Sequence, residues 1–323
     1  MNPSTNFLVA IARAAGRAAL TLALASVAVF ALLRVIPGDP AAIALGTTAT
    51  PELLAKKRAE LGTDQPLVTQ YFHWIGDLAT GNFGKSLSSG APLTPLVLDR
   101  LQVSLILVGL AMALALVVAV PLGTLAAMHS RGPLGAAVSV LSQVGIAVPS
   151  FLAGILLVSV FAVHLGWLPA NGWTPPAYGL GAFLARLVLP VVALALVQAA
   201  MLTRYVRTAV LDVLHEDYVR TARAKGRSPW GALRVHGLRN AALPVLTVTG
   251  VQLASLVIGA VVIEQVFSIP GLGTFLLDAV AKRDLPAVQA VVMVLVVLTV
   301  IITTAVDVLV AAVDPRVREA ARA

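Results

Sequence analysis

Several side chains in this chain are of types that do chemistry, so their spacing is the first thing to test. Gly84-Lys85-Ser86 has the ending of a phosphate-binding loop, but that loop requires a glycine five residues before Gly84, where Ala79 stands. His215-Glu216 begins like a zinc-protease helix, yet no second histidine follows at the required spacing. Ser104, Ser139, Ser142, Ser150 and Ser159 lie in long apolar runs with no Lys or His in sight to activate a nucleophile. The five histidines are scattered without ligand spacing, and with 0 cysteines there is no thiolate site and no disulfide. No catalytic constellation, metal site or cofactor site is therefore expected, and no ATP site in this chain.

What remains is charge. Arg204–Arg239 carries Arg204, Arg207, Arg220, Arg223, Lys225, Arg227, Arg234 and Arg239, between long uncharged stretches. Its chemistry is ion pairing to acidic groups or to lipid headgroups. The loop reads as two short helices around a glycine. Asp217 caps the first, Tyr218–Lys225, and Gly226 stops it. Ser228-Pro229 has the pattern of an N-cap followed by a first helical residue, opening a second helix from Trp230 to about Arg239. Pro244 then stands at the start of the next apolar run. Thr221, Ala222 and Ala224 form a small-residue face among Arg220, Arg223 and Lys225, which suits close approach by another protein. A basic loop that only fixes topology against lipid is the alternative.

The elements that must position this loop are membrane spans. The chain is 59% hydrophobic and 12% charged with mean hydropathy +0.92, whereas a soluble domain carries about 25% charge. Its Ala, Val and Leu content suits helices, because a spanning barrel would alternate polar and apolar residues. Six stretches reach the roughly 17 to 30 uncharged residues needed to cross a bilayer. They lie near Ala18–Leu33, Val103–Met128, Leu134–Val163, Leu187–Thr203, Ala241–Ile263 and Leu285–Val306. The first, behind Arg13 and Arg17, reads as an uncleaved signal anchor.

With the N-terminus in the cytoplasm, 14 of the 23 Lys and Arg face inward and 9 outward. The inward set includes Arg131, Arg316, Arg318 and Arg322, so both ends are expected in the cytoplasm of a multi-pass plasma-membrane protein. The net charge of +8 then marks topology rather than nucleic-acid binding. The expected domains are residues 1–35 (the first span), 36–100 (a small outer subdomain) and 101–323 (the helical core with loop 204–240). Within 36–100, a helix near Glu52–Leu61 should end at Gly62, and Tyr71, Phe72 and Trp74 suit a membrane interface.

Pro121, Pro149 and Pro190 fall in or near spans, each a packing kink or a pivot. Gly145, Ala147, Ala153 and Gly154 permit close helix contact. Gln102, Gln143, Ser150, Gln198 and Gln252 are candidate lining for a translocation path, or helix–helix hydrogen bonds. Glu264 either lines the outer mouth of that path or sits at a helix end in the interface.

The run Asp217-Tyr218-Val219-Arg220-Thr221-Ala222-Arg223-Ala224-Lys225-Gly226, with His236-Gly237-Leu238-Arg239-Asn240 and Pro244, resembles the cytoplasmic "EAA" loop of binding-protein-dependent ABC importers. It is most similar to the form in dipeptide, oligopeptide and nickel permeases. Further stretches match that group in order: Arg34–Pro40, Leu61–Leu67, Gly81–Ser86, Glu264–Gly273, Arg283–Pro286 and Asp314-Pro315-Arg316. Against the general pattern, the acidic residue and one alanine are replaced by Arg220-Thr221, and a downstream proline by Arg239. Both departures look like the peptide and nickel subgroup.

The resemblance implies an all-α type I permease fold with six spans, in which Tyr218–Gly226 is the coupling helix for a partner ATPase. It also implies a second related permease subunit, two ATPase subunits that bind ATP and Mg, and an extracytoplasmic solute-binding protein. Peptide is the expected cargo, with nickel or another small solute as the alternative. An ion-coupled secondary transporter is a reading of another class. It is disfavoured because such proteins place carboxylates or histidines within spans, and the second, third and fourth spans contain no acid.

Overall fold

The computed structural model describes residues 3–35 and 38–313, with side chains of the first few and of residue 313 omitted. Ile36 and Pro37, the terminal Asp314-Pro315-Arg316 stretch, Arg318 and Arg322 lie outside the described residues. The described chain is α-helical apart from turns and one isolated bridge, Lys85 to Pro92.

Its helices are α1 (Pro3–Val35), α2 (Pro40–Leu45), α3 (Pro51–Leu61), α4 (Leu67–Ala79), α5 (Leu93–Met128), α6 (Pro133–Ala147) and α7 (Ser150–Leu157). There follow α8 (Leu180–Leu214), α9 (Asp217–Ala224), α10 (Pro229–Ala232), α11 (Leu238–Val266), α12 (Leu272–Ala281) and α13 (Leu285–Val313).

Among the described residues five helical stretches are long and apolar enough to cross a membrane: Ile11–Val35, Leu93–Met128, Leu180–Leu214, Pro229–Val266 and Leu285–Ala312. The sixth expected span, Leu134–Val163, is not straight. Pro133–Ala147 and Ser150–His164 meet at 97°. Pro149, in extended conformation, has no N–H to continue the helix from α6, and it becomes the N-cap of α7. Pro121 and Pro190 lie inside the continuous helices α5 and α8. The expected signal anchor is one uninterrupted helix over its described length.

The chain divides into two compact units. The first comprises Met1–Ala15, Leu105–Ile269 and Ile301–Ala323; the second comprises Gly16–Ser104 and Pro270–Val300.

In the first unit, glycines set how closely helices pack. A Cβ on Gly123 would sit 2.7 Å from the Thr203 carbonyl oxygen and 2.6 Å from Val206 Cβ, so α5 and α8 cross almost backbone to backbone. A Cβ on Gly145 would sit 2.8 Å from Ala200 Cβ, and one on Gly154 would sit 3.0 Å from the Phe267 ring. The small residues at these positions thus do what their size suggests.

The second unit gathers residues 38–104 around one stretch of α1 and the start of α13. α3 begins at a Thr50 cap, whose hydroxyl accepts from Leu53 N–H, and it ends at Gly62 in the left-handed region. α4 turns an aromatic face to α1. Tyr71 and Phe30 meet edge to face at 5.4 Å, the Tyr71 and Ser26 hydroxyls are 2.8 Å apart, and Trp74 packs 5.9 Å from Phe30. Only Phe72 of the three aromatics assigned to a membrane interface is strongly exposed; Tyr71 and Trp74 are docking residues. Leu93, Val97, Leu272, Ala279, Ala287 and Val291 form its buried core.

A buried carboxylate completes the second unit. Asp284 accepts from Ser86 Oγ at 2.5 Å, Ser88 Oγ at 3.0 Å, Leu87 N at 3.1 Å and Ser88 N at 3.3 Å, and it caps α13 through Ala287 N at 3.4 Å. Burial alone would raise its pKa. The donors from Ser86, Leu87 and Ser88 outweigh burial and hold it below the ordinary value. A carboxylate whose folded pKa is depressed contributes stability above its unfolded value of about 3.9. That contribution is lost as pH falls through the lower, folded value. Asp284→Asn leaves an amide NH₂ facing donors, at a cost of about 1–3 kcal/mol. Hydrogen exchange of the Leu87 and Ser88 amides in the purified protein should accelerate by roughly tenfold or more. Unchanged protection would show that the clasp does not hold this loop.

Candidate functional site

The expected loop 204–240 starts later than its charges imply: Arg204 and Arg207 belong to α8, which continues to Leu214. Glu216, in extended conformation, is the N-cap of α9 and makes no side-chain cap bond. Asp217, expected to be the cap, is instead the first helical residue. There it favours the positive end of the helix and lies 3.7 Å from Arg220, a pair too exposed to contribute much. The helix ends in a Schellman arrangement: Arg227 N–H reaches the Ala222 carbonyl (3.2 Å) and Gly226 N–H the Arg223 carbonyl (2.9 Å). Gly226 has φ +88, a conformation costly to any residue with a Cβ. Ser228 then caps α10 by accepting from Gly231 N–H at 3.1 Å, with Pro229 next, as its sequence pattern implies.

Two features differ from expectation. First, the second helix is not a separate element ending near Arg239. α10 passes through a π-helical turn, Leu233–Gly237, directly into α11, and Pro244 lies inside that helix. The wider turn keeps the chain helical with buried Leu233 and Gly237 on one side. Second, Ala222 is not on a free face. Val219 (0% exposed) and Ala222 (6% exposed) are buried in a cluster with Val206, Ala209, Val210, Val213, Ala232 and Leu233. Their i, i+3 spacing puts them on one side of α9, and that side anchors the loop.

The outward side carries Arg220, Thr221, Arg223, Ala224 and Lys225, all exposed, with Tyr218 and Gly226 at its ends. Tyr218 has a second role. Its hydroxyl accepts from Asn240 Nδ2 at 2.8 Å, tying α9 to the start of α11. Asn240 had no assigned role in the sequence; a bond spanning 22 residues leaves no periodic signal.

The candidate path residues are dispersed. Gln102 belongs to the second unit and donates to Asp99 Oδ1 at 2.9 Å, while the other five belong to the first. Gln143 is exposed, and Ser150 is half-buried at the opening of α7. Gln252 Nε2 points at Met201 Sδ, 3.0 Å away. Gln198 is buried, and its Oε1 has no hydrogen-bond partner among the described residues. Glu264 is buried near the end of α11. Three of the serines in apolar runs are engaged in hydrogen bonds: Ser104 accepts from Leu272 N–H, 168 residues away, and Ser139 and Ser142 donate to carbonyls one turn back. Among the described residues no group of three or more His, Asp or Glu is placed to hold a metal.

These features define a multi-pass helical membrane protein with a basic loop seated on its own helices. The chain belongs to the family described as "Binding-protein-dependent transport system inner membrane component", which matches residues 119–319; the corresponding N-terminal family matches residues 5–108. It is 41% identical to the probable peptide ABC transporter permease protein y4tP of Sinorhizobium fredii, over 92% of this chain and 95% of that one. It is 38% identical to the glutathione transport system permease protein GsiC of Escherichia coli, over 92% and 95% of the two chains. Identity to the oligopeptide transport system permease protein AppB of Bacillus subtilis is 36%, over 89% and 92%. A crystal structure of an amino acid ABC transporter with histidines covers 69% of this chain and 94% of its own, at 18% identity and a TM-score of 0.49.

Proposed function

We propose that this chain is a membrane subunit of an ATP-driven importer of short peptides, and that Tyr218–Gly226 is the element through which a partner ATPase drives it. The observation that carries the reading is the division of α9. Val219 and Ala222 are buried in the bundle, while Arg220, Thr221, Arg223, Ala224 and Lys225 stay exposed. A helix held on one face and open on the other transmits a push. The peptide, oligopeptide and glutathione permeases to which the chain is similar support the cargo class.

In this reading both ends and the basic loop face the cytoplasm, and residues 38–100 face outward. ATP and Mg bind the partner ATPase subunits, not this chain. Closure of two ATPase subunits moves α9, and α11 moves with it through the Tyr218–Asn240 bond and the unbroken α10–α11 helix. A second, related permease subunit completes the pore, and a solute-binding protein delivers peptide to its outer mouth.

The test is uptake in proteoliposomes holding the assembled transporter. Peptide should enter with ATP and binding protein present, should stop when the partner ATPase is disabled, and should survive collapse of the proton gradient. Uptake that follows the gradient and ignores the ATPase would overturn the reading in favour of a secondary transporter.

A further inference from the structure

Two residues with side chains hold a backbone conformation that glycine takes at little cost. Among the described non-glycine residues, Ser268 (φ +51) and Arg283 (φ +53) have positive φ. Each stands one residue beyond a helix C-cap and closes a Schellman arrangement. After α11, Ile269 N–H reaches the Glu264 carbonyl at 2.8 Å and Ser268 N–H the Gln265 carbonyl at 3.3 Å. After α12, Asp284 N–H reaches the Ala279 carbonyl at 2.9 Å and Arg283 N–H the Val280 carbonyl at 3.1 Å. The same pair of bonds ends α3, α4 and α9, and there the left-handed residue is Gly62, Gly81 or Gly226. A Cβ in this region crowds its own backbone, so the surroundings must hold the turn.

At Arg283 the restraint is plain. Asp284, the next residue, is buried and tied through both carboxylate oxygens to Ser86, Leu87 and Ser88. Those bonds set residue 283 beside the 86–88 loop, within the same compact unit. Arg283 itself is exposed, and its guanidinium has no ion pair or ring contact among the described residues. Lys282 is exposed as well. Asp278, exposed one turn earlier, pairs with neither of them. The turn therefore presents two cations on a backbone fixed by a buried carboxylate.

We propose that Arg283 is a docking contact for the solute-binding protein, pairing with a carboxylate on that protein's surface. The inference rests on the import reading, in which residues 38–100 and whatever is clasped to them face outward, and it adds a residue that meets the binding protein. The backbone strain favours a contact over a merely solvated position. At positive φ a solvated position gains nothing from arginine over glycine. A guanidinium matched to a carboxylate gains two parallel charge-assisted hydrogen bonds. The fixed turn also leaves less freedom to be lost on docking. Ser268 has the same backbone conformation with a short, uncharged side chain, so it serves as the internal control.

The experiment uses the assembled transporter, with both membrane subunits and the ATPases, in nanodiscs. Surface plasmon resonance measures docking of the peptide-loaded binding protein, and thermal melting measures the fold. Arg283→Gly relieves the strain and removes the cation. It should melt at the wild-type temperature or up to about 3 °C above it. Its docking should nevertheless weaken about fivefold or more, the scale of one charge-assisted contact. Ser268→Gly should melt equally well and dock as wild type does. Arg283→Glu should dock more weakly than Arg283→Gly. Added salt should weaken wild-type docking more steeply than docking of Arg283→Gly.

Wild-type docking by Arg283→Gly overturns the contact. So does a fall in its melting temperature alongside the loss of docking, because the residue would then act through the fold. Normal docking with lost peptide uptake also overturns it, and would assign Arg283 to the cargo instead. A wild-type transporter that neither docks the binding protein nor takes up peptide with ATP overturns the import reading, and the contact with it.

Discussion

Ala222→Arg and Ala224→Arg, two residues apart, should fail in different ways. Ala222 is buried in the cluster of Val206, Val210, Val213 and Leu233. An arginine there must either bury an unpaired guanidinium or lever α9 off the bundle, and either costs several kcal/mol. Ala222→Arg should therefore lower the unfolding temperature of the purified protein and abolish transport with it. Ala224 is exposed on the opposite side. Ala224→Arg should change stability by no more than about 0.5 kcal/mol, as surface substitutions do.

Its effect should appear only on the partner. Co-purification of the ATPase subunit should be lost, and ATP-dependent uptake with it, because a long cation now occupies a position where only a methyl group stood. Wild-type ATPase association in Ala224→Arg, combined with normal melting, would remove α9 as the docking element. Normal melting of Ala222→Arg would contradict the anchored face.

Gly123→Leu should cause a large loss of stability. The Cβ alone would stand 2.7 Å from the Thr203 carbonyl oxygen, and a backbone atom cannot rotate away. The α5–α8 crossing must open, which breaks the packing around buried Thr203 and Val206. Overpacking that displaces backbone costs about 1–3 kcal/mol or more, and here the side chain is four carbons rather than one. Gly109 on the same helix has nothing within 4 Å of an added Cβ. Gly109→Leu is the matched control and should melt close to wild type in detergent. Equal melting of the two variants would refute the close crossing.

What could be read beforehand divides by range. The positions of the apolar helices, the Ser228 cap, and the helix stops at Gly62 and Gly226 all follow from residues within a turn of one another. Ala222 and Ala224 illustrate the limit. Both are small, both flank Arg223, and in an eight-residue helix no periodicity tells which one faces the bundle. The same limit hid Pro149, whose ring removes a hydrogen bond in either a kinked or a sharply bent span. The sharp bend of 97° is visible only once α6 and α7 are placed.

The amino-acid sequence by itself determined an all-helical, membrane-spanning chain with one basic loop built as helix, glycine, helix. Hydrophobic run length and capping chemistry are local, and they suffice for that. The tertiary structure alone decided which face of α9 is anchored, that α10 runs unbroken into α11, and that Asp284 closes on Ser86 from 198 residues away. Each of these depends on where distant helices come to rest, and a burial pattern exists only after they have packed.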